Sequence, residues 1–283
     1  MTRIDDTPGF IVQSDRRPLA VFDSGVGGLT VLKAMREAMP CEDLLYLGDT
    51  ARLPYGTKSA TSVLRYAHRA ADHLRGYEIK MLVIACNTAS AVALDDLQRD
   101  LAPLPVVGVV RPGARAAVAA RPAANHLVLA TEATVRLGAY SRAIAEIDEK
   151  AEVREMACEM LVAQAEEGWT EGAVAEAIVR EYLDPVIDGA ATPDSLILGC
   201  THFPILREVI RGVVGPDMSI VDSAVTTAAV VKERLQSEGL DGGTEQNGSL
   251  RLLATDGARR FAQVGGTFLG ETLTPDDVEI VDI

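Results

Sequence analysis

The stretch LVIACNTASA at residues 82–91 decides how the rest of the chain is interpreted. An apolar run typical of a buried strand ends abruptly at Cys86, and Asn87, Thr88 and Ser90 follow it. Free cysteine is among the most buried residue types, so a single cysteine at such a junction is most simply a small core residue. A functional role for Cys86 therefore needs support from elsewhere in the chain.

A second stretch of the same form occurs further along, as LILGCTHFP at residues 196–204. Both stretches combine an apolar strand, one small residue, a cysteine and polar residues that open a helix. Cys200 follows Cys86 by 114 residues, which is about the size of a small domain. VFDSG (21–25) and VLATEAT (128–134) form a weaker pair of the same kind. We therefore predict two related halves, and two thiols flank one cleft if the halves face each other.

Short apolar runs alternate with helical patterns along the whole chain. The predicted strands are LAVFD (19–23), DLLYLG (43–48), MLVIA (81–85), VVGVV (106–110), HLVLA (126–130), SLILG (195–199), SIVD (219–222) and LRLLA (250–254). The predicted helices are residues 28–39, 59–75, 89–100, 134–149, 158–167 and 172–188. Continuous apolar runs are typical of strands buried on both faces. The pattern predicts an α/β fold with mostly parallel sheets in two pseudo-symmetric domains and the active site in the cleft between them.

Polar residues follow five of these strands, at the edge where α/β proteins bind their ligands. The segments are DSGVGG, GDTARLPYG, CNTAS, TEAT and CTHFP. One such junction is ordinary turn chemistry, but five in one chain indicate a functional edge. DSGVGG (23–28) lacks the last small residue of the dinucleotide fingerprint, yet its N–H groups at a helix start suit a carboxylate. PYG (54–56) is either a plain turn or a loop that closes over a small ligand.

The composition indicates a soluble globular protein without nucleic-acid or membrane partners. The chain has 283 residues, of which 48% are hydrophobic and 24% charged, and its net charge is −14. It shows no basic stripe for a phosphate backbone, no apolar stretch near the ~20 residues that span a bilayer, and no signal-peptide pattern. We therefore predict a cytoplasmic protein. An anionic small-molecule ligand would need local donors, because the overall charge repels it.

The spacing of the four cysteines predicts neither disulfides nor a metal site. Cys41, Cys86, Cys158 and Cys200 form no CxxC pair and match no common zinc pattern. Disulfides are rare in cytosolic proteins. Cys200 and His202 offer two metal ligands, but no partner cluster lies nearby in the sequence. We predict structural roles for Cys41 and Cys158, because neither lies at a strand-to-helix junction with polar neighbours.

Two opposed thiols suit racemisation. A racemase removes a proton from one face of a carbon and returns one to the other face, and one base cannot reach both faces without large motion. A free thiol has a pKa of about 8.5, and a helix start lowers it, so Cys86 and Cys200 are candidate acid/base groups. Asp23 and His202 are candidate partners of the thiols. Simpler interpretations stay open, since Asp23 fits a helix cap and His202 fits a hydrogen-bonded core histidine.

Four motifs taken together resemble the glutamate racemase family. They are FDSGVGGLTVL, GDTARLPYG, LVIACNTASA and LILGCTHFP, in this order. The resemblance implies a cofactor-independent homodimeric enzyme that interconverts L- and D-glutamate and supplies D-glutamate for peptidoglycan in bacteria. It also implies two α/β domains with a C-terminal return to the first. We place an N-terminal extension at 1–18, the first domain at 19–111 plus 222–283, and the second at 112–221.

The resemblance also implies roles for individual residues. Cys86 matches the residue that acts on D-glutamate and Cys200 the one that acts on L-glutamate, while Asp23 and His202 match the groups that assist the thiols. The implied substrate contacts are Asp23, Ser24, Pro54, Tyr55, Gly56, Asn87, Thr88, Thr134, Thr201 and His202. Thr131 is an alternative to Thr134 as the contact from the second half.

The chain departs from the family pattern at Arg111, Ala130 and Leu137, and ACEMLVAQAEEG (157–168) lacks a proline common in the family. These changes concern the hinge and the second half more than the catalytic motifs. Three alternatives stay open: an aspartate racemase, a cysteine hydrolase built on Cys200 and His202, and a glutamate-binding protein without activity. A related decarboxylase is disfavoured because it would lack one cysteine.

Overall fold

The computed structural model describes residues 15–187, 189, 192–243 and 246–283. The strands of the first sheet are β1 (Leu19–Asp23), β2 (Leu44–Gly48), β3 (Met81–Ile84), β4 (Val106–Gly108), β9 (Leu250–Ala254) and β10 (Val278–Ile280). All of them pair in parallel, in the order β10-β9-β2-β1-β3-β4. The central strand β1 is buried along its whole length.

The second sheet is built by the middle part of the chain and is also fully parallel. Its strands are β5 (Asn125–Ala130), β6 (Glu152–Ala157), β7 (Ser195–Gly199) and β8 (Ser219–Asp222). They lie in the order β6-β5-β7-β8. The order β2-β1-β3-β4 of the first sheet is thus repeated, with β5 in the place of β1 and β7 in the place of β3.

This repeated order puts the two cysteine motifs at equivalent places. Cys86 follows β3 and Cys200 follows β7. The strand order reverses between β1 and β3 in the first half and between β5 and β7 in the second. Such a switch point opens a crevice at the carboxyl ends of the strands. The predicted α/β fold with two pseudo-symmetric halves is confirmed.

Helices connect the strands and cover the sheets. They are α1 (Leu29–Ala38), α2 (Ala60–Arg75), α3 (Asn87–Asp100), α4 (Val110–Ala120), α5 (Glu132–Arg136), α6 (Ala139–Ala145), α7 (Glu159–Glu166), α8 (Gly172–Ile187), α9 (Arg207–Val214), α10 (Ser223–Glu238) and α11 (Ala258–Leu269). In the described residues no helix is both long and apolar enough to cross a bilayer.

All eight predicted strands are present at about the predicted positions, but one is shorter than predicted and two further strands were not predicted. The run at 106–110 is strand only as far as Gly108, because Val110 already begins α4, in which Pro112 fits the first turn. The sequence prediction missed β6, a half-exposed edge strand with charged residues, and the short β10. Neither has the continuous apolar run of a strand buried on both faces.

The predicted helix at 134–149 is wrong as a single element. The chain forms α5, passes through Gly138 in the left-handed conformation at φ 57°, and begins again as α6. Glycine adopts this conformation without steric cost. The break turns α6, and with it Tyr140, against α4 of the same half.

One apolar core runs through both halves, including Val21 and Val83 of the first sheet and Leu129 and Leu198 of the second. Each fully buried side chain of this kind contributes about 1.5–3 kcal/mol, so the strand ends that carry the polar residues are firmly held. After β8, α10 packs on both α1 and α4 and so returns to the first half. The domain boundaries at 111 and 222 stay a prediction.

The predicted N-terminal extension falls mostly outside the described residues, which begin at residue 15. The part that is described is tied to the body of the protein. Lys80 Nζ donates to Asp15 O at 2.6 Å, and Arg16 forms an ion pair with Asp43 at 2.9 Å. Pro18 O accepts from Lys80 N at 3.0 Å. Residues 15–18 are therefore more firmly held than a loose extension would be.

Candidate active site

Cys86 lies at the start of α3, where its side chain caps the helix. Its Sγ accepts a hydrogen bond from Ala89 N at 3.4 Å, and Ser24 at the end of β1 also bonds to it. Burial raises the pKa of the Cys86 thiol to about 12, and the Asp23 carboxylate adds to the rise. The expectation that the helix start lowers this pKa is wrong here, because desolvation outweighs it. At neutral pH Cys86 is a buried thiol that can donate a proton.

Cys200 is held in a chain of hydrogen bonds that the sequence did not predict in full. Its Sγ lies 3.7 Å from His202 Nδ1, and His202 Nε2 lies 3.2 Å from Glu166 Oε1. Arg260 approaches the other oxygen of Glu166 at 3.5 Å. The chain Cys200–His202–Glu166 therefore runs from the end of β7 into α7, with His202 facing the sulfur.

The charge of His202 follows from these contacts. Burial by itself lowers the pKa of His202, but the bonds to Cys200 and Glu166 outweigh it and raise that pKa to about 10. The same bond to His202 lowers the pKa of Glu166, against the effect of burial. At neutral pH the pair is therefore an imidazolium and a carboxylate. A protonated Nδ1 can donate a hydrogen bond to the sulfur and stabilise negative charge on it.

Asp23 lies between the two halves and is completely buried. Its Oδ2 accepts from Gly25 N at 2.9 Å, and Thr201 Oγ1 donates to its Oδ1 at 3.5 Å. Burial raises the pKa of Asp23, while the charge of His202 and the surrounding backbone N–H groups lower it. Asp23 is thus in electrostatic contact with both Cys86 and His202, which fits a group that assists proton transfer better than a simple helix cap.

The glycines of the DSGVGG loop allow this close approach. A Cβ atom at Gly27 would lie 2.5 Å from His202 Nδ1 and from Thr201 Oγ1, and one at Gly28 would lie 2.5 Å from Asp23 Cβ. A larger residue at Gly27 would press against the side chains of Thr201 and His202 in the other half. The loop therefore serves here to bring Cys200 and its neighbours against the end of β1.

Three threonine hydroxyls form a cluster across the two halves. Thr88 Oγ1 lies 3.0 Å from Thr131 Oγ1 and 3.2 Å from Thr134 Oγ1, and these two are 3.2 Å apart. Both alternatives for the contact from the second half are therefore present. Thr88 also lines a cavity of about 320 Å³ together with Lys58 and Arg136. The arrangement offers hydroxyl donors, with cations nearby, to an anionic ligand.

Asn87 is the first residue of α3 and is buried beside this cluster. Its Oδ1 accepts from Tyr140 OH at 2.8 Å, whereas its Nδ2 has no hydrogen-bond partner. Buried amide groups are nearly always paired. An unpaired donor at this edge therefore indicates a place for a ligand's acceptor.

The PYG segment packs between the halves. The Tyr55 hydroxyl donates to Asp49 Oδ2 at 2.6 Å, and its ring is buried against Phe22. A Cβ atom at Gly56 would lie 2.8 Å from Thr131 Cβ, while Pro54 is exposed. The Tyr55 hydroxyl is already engaged, so the backbone of this segment is what can face a ligand.

The sequence prediction missed Glu166 and Tyr140, which hold His202 and Asn87. Neither lies in a strand-end motif, and no local pattern marks them. The structure describes all four cysteines, and none is in a disulfide. Cys158 lies between the end of β6 and the start of α7, so the expectation that it lies at no strand-to-helix junction is wrong. It is buried there, which raises its pKa to about 12, and Cys41 is half-buried. Within the described ranges no three His, Cys, Asp or Glu side chains are grouped to hold a metal ion.

Comparison with known proteins shows the family to which the chain belongs. Residues 28–231 match the model of the Asp/Glu/Hydantoin racemase family. The chain belongs to this family. The prediction from the four motifs, an amino-acid racemase and hence an isomerase, is thereby confirmed.

Individual relatives of this racemase cover nearly the whole chain. A glutamate racemase of Geobacter metallireducens is 46% identical over 257 residues, which are 91% of this chain and 94% of the relative. The glutamate racemase of Francisella tularensis, solved with D-glutamate, is 35% identical with a TM-score of 0.86, over 95% and 98% of the two chains. That of Thermus thermophilus, solved with β-chloro-D-alanine, is 40% identical with a TM-score of 0.85, over 96% and 99%.

Proposed function

We propose that this protein is a cofactor-independent glutamate racemase in which Cys86 and Cys200 exchange protons with the α-carbon. The observation that carries the proposal is the pair of cysteines at equivalent strand ends, each with its own assisting groups. Cys86 has Ser24, and Cys200 has His202 backed by Glu166. The negative charge of Cys200 also adds a small rise to the pKa of Cys86, which supports placing the two sulfurs near one another.

The proposed reaction from L-glutamate needs two proton transfers and no redox partner. Cys200 Sγ, as thiolate, takes the α-proton, and the electron pair of the broken C–H bond stays on the α-carbon and its carboxylate. The Cys86 S–H bond then breaks and delivers its proton to the opposite face. The product is D-glutamate, with Cys200 now a thiol and Cys86 a thiolate. From D-glutamate the same steps run in reverse, as the resemblance assigns them.

The assisting groups favour this division of labour. His202 donates to the Cys200 sulfur while it carries negative charge, and positioned acid/base groups of this kind contribute about 10²–10⁴-fold each. Asp23 interacts electrostatically with Cys86 on one side and with His202 on the other. Ser24 and Thr201, beside Cys86 and Cys200, complete the set of predicted contacts at the reacting carbon.

The substrate is held by donors that compensate for the acidic protein. We infer that Asn87 Nδ2 and the hydroxyls of Thr88, Thr131 and Thr134 bind the two carboxylates, and that the backbone at Pro54–Gly56 closes one side. Lys58, at the cavity that reaches Thr88, favours the approach of an anion to a chain of net charge −14, whereas Arg136 at the same cavity is paired with Glu132 at 3.1 Å. Peptidoglycan supply, a homodimer and a cytoplasmic location stay predictions.

Replacing Thr134 by valine should raise the KM for glutamate about tenfold with a smaller change in kcat. The substitution keeps the shape of this buried side chain but removes one donor from the cluster, and an unpaired buried partner costs about 1–3 kcal/mol. Thr226→Val is a matched control, because the Thr226 hydroxyl donates to Ser223 O within α10, away from the threonine cluster. Steady-state kinetics in both directions measure the effect. An unchanged KM would remove Thr134 from the substrate site.

Two other activities are distinguished by direct assays. The alternative of a hydrolase rests on the Cys200–His202–Glu166 chain, which has the form of a nucleophile, a base and an orienting group. It predicts an acyl-enzyme and a dispensable Cys86. An aspartate racemase would use the same two thiols on a shorter side chain, and one methylene changes selectivity by only about 10–200-fold.

The test of the function is chiral analysis of L-glutamate and L-aspartate incubated with the purified protein without added cofactor. We expect D-glutamate to accumulate to a one-to-one ratio, with aspartate turned over at least about tenfold less well. Growth of a bacterial D-glutamate auxotroph on expression of the chain tests the cell-wall role. Preferential racemisation of aspartate, or none of either amino acid, would contradict the proposal.

A further inference from the structure

Tyr140 of α6 is completely buried between two glycines at the junction of the halves. A Cβ atom at Gly199 would lie 3.0 Å from its ring, and one at Gly113 would lie 3.3 Å from it. Gly199 is the residue directly before Cys200, and Gly113 belongs to α4. The ring thus fills a narrow slot beside the end of β7, and the phenol leaves this slot towards the other half.

The hydroxyl of Tyr140 reaches the start of α3 in the first half. It donates to Asn87 Oδ1 at 2.8 Å, and Asn87 directly follows Cys86 at the start of α3. With its oxygen held in this way, the amide of Asn87 turns its Nδ2 away from Tyr140, and that nitrogen has no partner although it is buried. The opposite orientation of the amide would present an acceptor in place of the donor.

We propose that Tyr140 is a positioning residue, which fixes the Asn87 amide so that its Nδ2 faces a carboxylate of the substrate. The inference rests on the proposed function, because it takes the ligand to be an anion. An acceptor in this place would repel a carboxylate, whereas the observed orientation donates to it. The same hydrogen bond joins α6 to the start of α3, so it also links the second half to the segment that carries Cys86.

The state of the phenol supports a fixed donor. Burial raises the pKa of Tyr140, although Ser223 close to the hydroxyl opposes the rise, so the phenol keeps its proton over the working range of pH. The packing of the ring between two glycines leaves it little freedom to turn. The neutral hydroxyl has a proton to donate to Asn87 Oδ1, and the immobile ring keeps this hydrogen bond in place.

The test is a double-mutant cycle of Tyr140→Phe and Asn87→Ala, read out as KM and kcat for both enantiomers. Phenylalanine keeps the ring in its slot and removes only the hydroxyl. We expect Tyr140→Phe to raise KM about tenfold, the size of one hydrogen bond to a buried group. We expect kcat to change by less than about threefold, because a contact made equally in ground and transition states affects binding alone. Tyr182→Phe, which removes a hydroxyl bonded to Met160 N, is the control and should change neither.

The cycle separates positioning from a purely structural role. In the Asn87→Ala background we expect Tyr140→Phe to change KM by less than about twofold, since its effect passes through the amide. A full tenfold effect in that background, or none in the wild type, would overturn the inference while glutamate racemisation stands. Thermal melting of the four proteins shows whether the fold is kept. Absence of glutamate turnover in the wild type would overturn the proposed function, and the inference with it.

Discussion

Replacement of either Cys86 or Cys200 by alanine is expected to abolish racemisation of glutamate in both directions. In the proposed mechanism, each substitution removes the group that takes or gives the proton on one face of the α-carbon. We expect kcat to fall by at least about 10²–10⁴-fold, the contribution of a positioned acid/base group. Chiral analysis of the product from L- and D-glutamate measures the loss.

The chain offers a matched control for these substitutions. Cys41→Ala removes a thiol that is half-buried and lies in neither strand-end motif, so its activity should equal that of the wild type. Binding of D-glutamate to Cys86→Ala and Cys200→Ala, measured by calorimetry, shows that the site still forms. If Cys86→Ala racemises normally, Cys86 returns to being a small core residue and the hydrolase alternative gains support.

Replacement of Glu166 by glutamine is expected to lower kcat/KM by about 10–100-fold and to shift its pH dependence. Glutamine keeps the size of the side chain but gives up the charge that holds His202 at 3.2 Å, and hydrogen bonds to charged groups contribute about 1.5–3 kcal/mol. Because the enantiomers have equal free energies in solution, their equilibrium constant is one. The fall in kcat/KM must therefore be equal for L- and D-glutamate, even though His202 contacts Cys200 and not Cys86.

The sign of the pH effect follows from the pKa of His202, which is raised to about 10 partly by Glu166. In the wild type, activity should decline as the pH rises through about 10 and His202 loses the proton it shares with Cys200. Without the Glu166 charge the pKa of His202 falls, so the decline should occur at lower pH. Glu167→Gln is the control, because the Glu167 side chain is exposed and pairs with Arg260 at 3.7 Å rather than with His202. An unchanged alkaline limb in Glu166→Gln would show that His202 does not govern this decline.

The topology of the protein was predictable because parallel strands buried on both faces leave continuous apolar runs in the sequence. The run before Cys86 and the run before Cys200 lie in β3 and β7, and their repeated form anticipated the repeated strand order. The sequence of β6 contains no such apolar run, because this edge strand carries charged side chains. The prediction of a single helix at 134–149 was wrong because one glycine, Gly138, takes a left-handed conformation that composition does not reveal.

The candidate site was predictable only where its residues adjoin strand ends. Cys86 and Cys200 could be paired from their motifs. Glu166, by contrast, reaches His202 from the last turn of α7, and the sequence does not show where that helix packs. The direction of the pKa shift of Cys86 was also not predicted, because a helix start is visible in a sequence and the depth of burial is not. Tyr140 acts across the junction of the halves, where no local pattern exists.

The measurement that tests the two-base account most directly is racemisation of L-glutamate by the wild type in deuterium oxide, stopped at low conversion. The α-hydrogens of recovered substrate and product are then read by NMR and mass spectrometry. We predict deuterium in nearly all of the D-glutamate and in little of the remaining L-glutamate, because the product receives its hydrogen from the second, solvent-exchanged thiol. Product that retains the protium of the substrate would mean that a single base serves both faces, and would contradict the roles of Cys86 and Cys200.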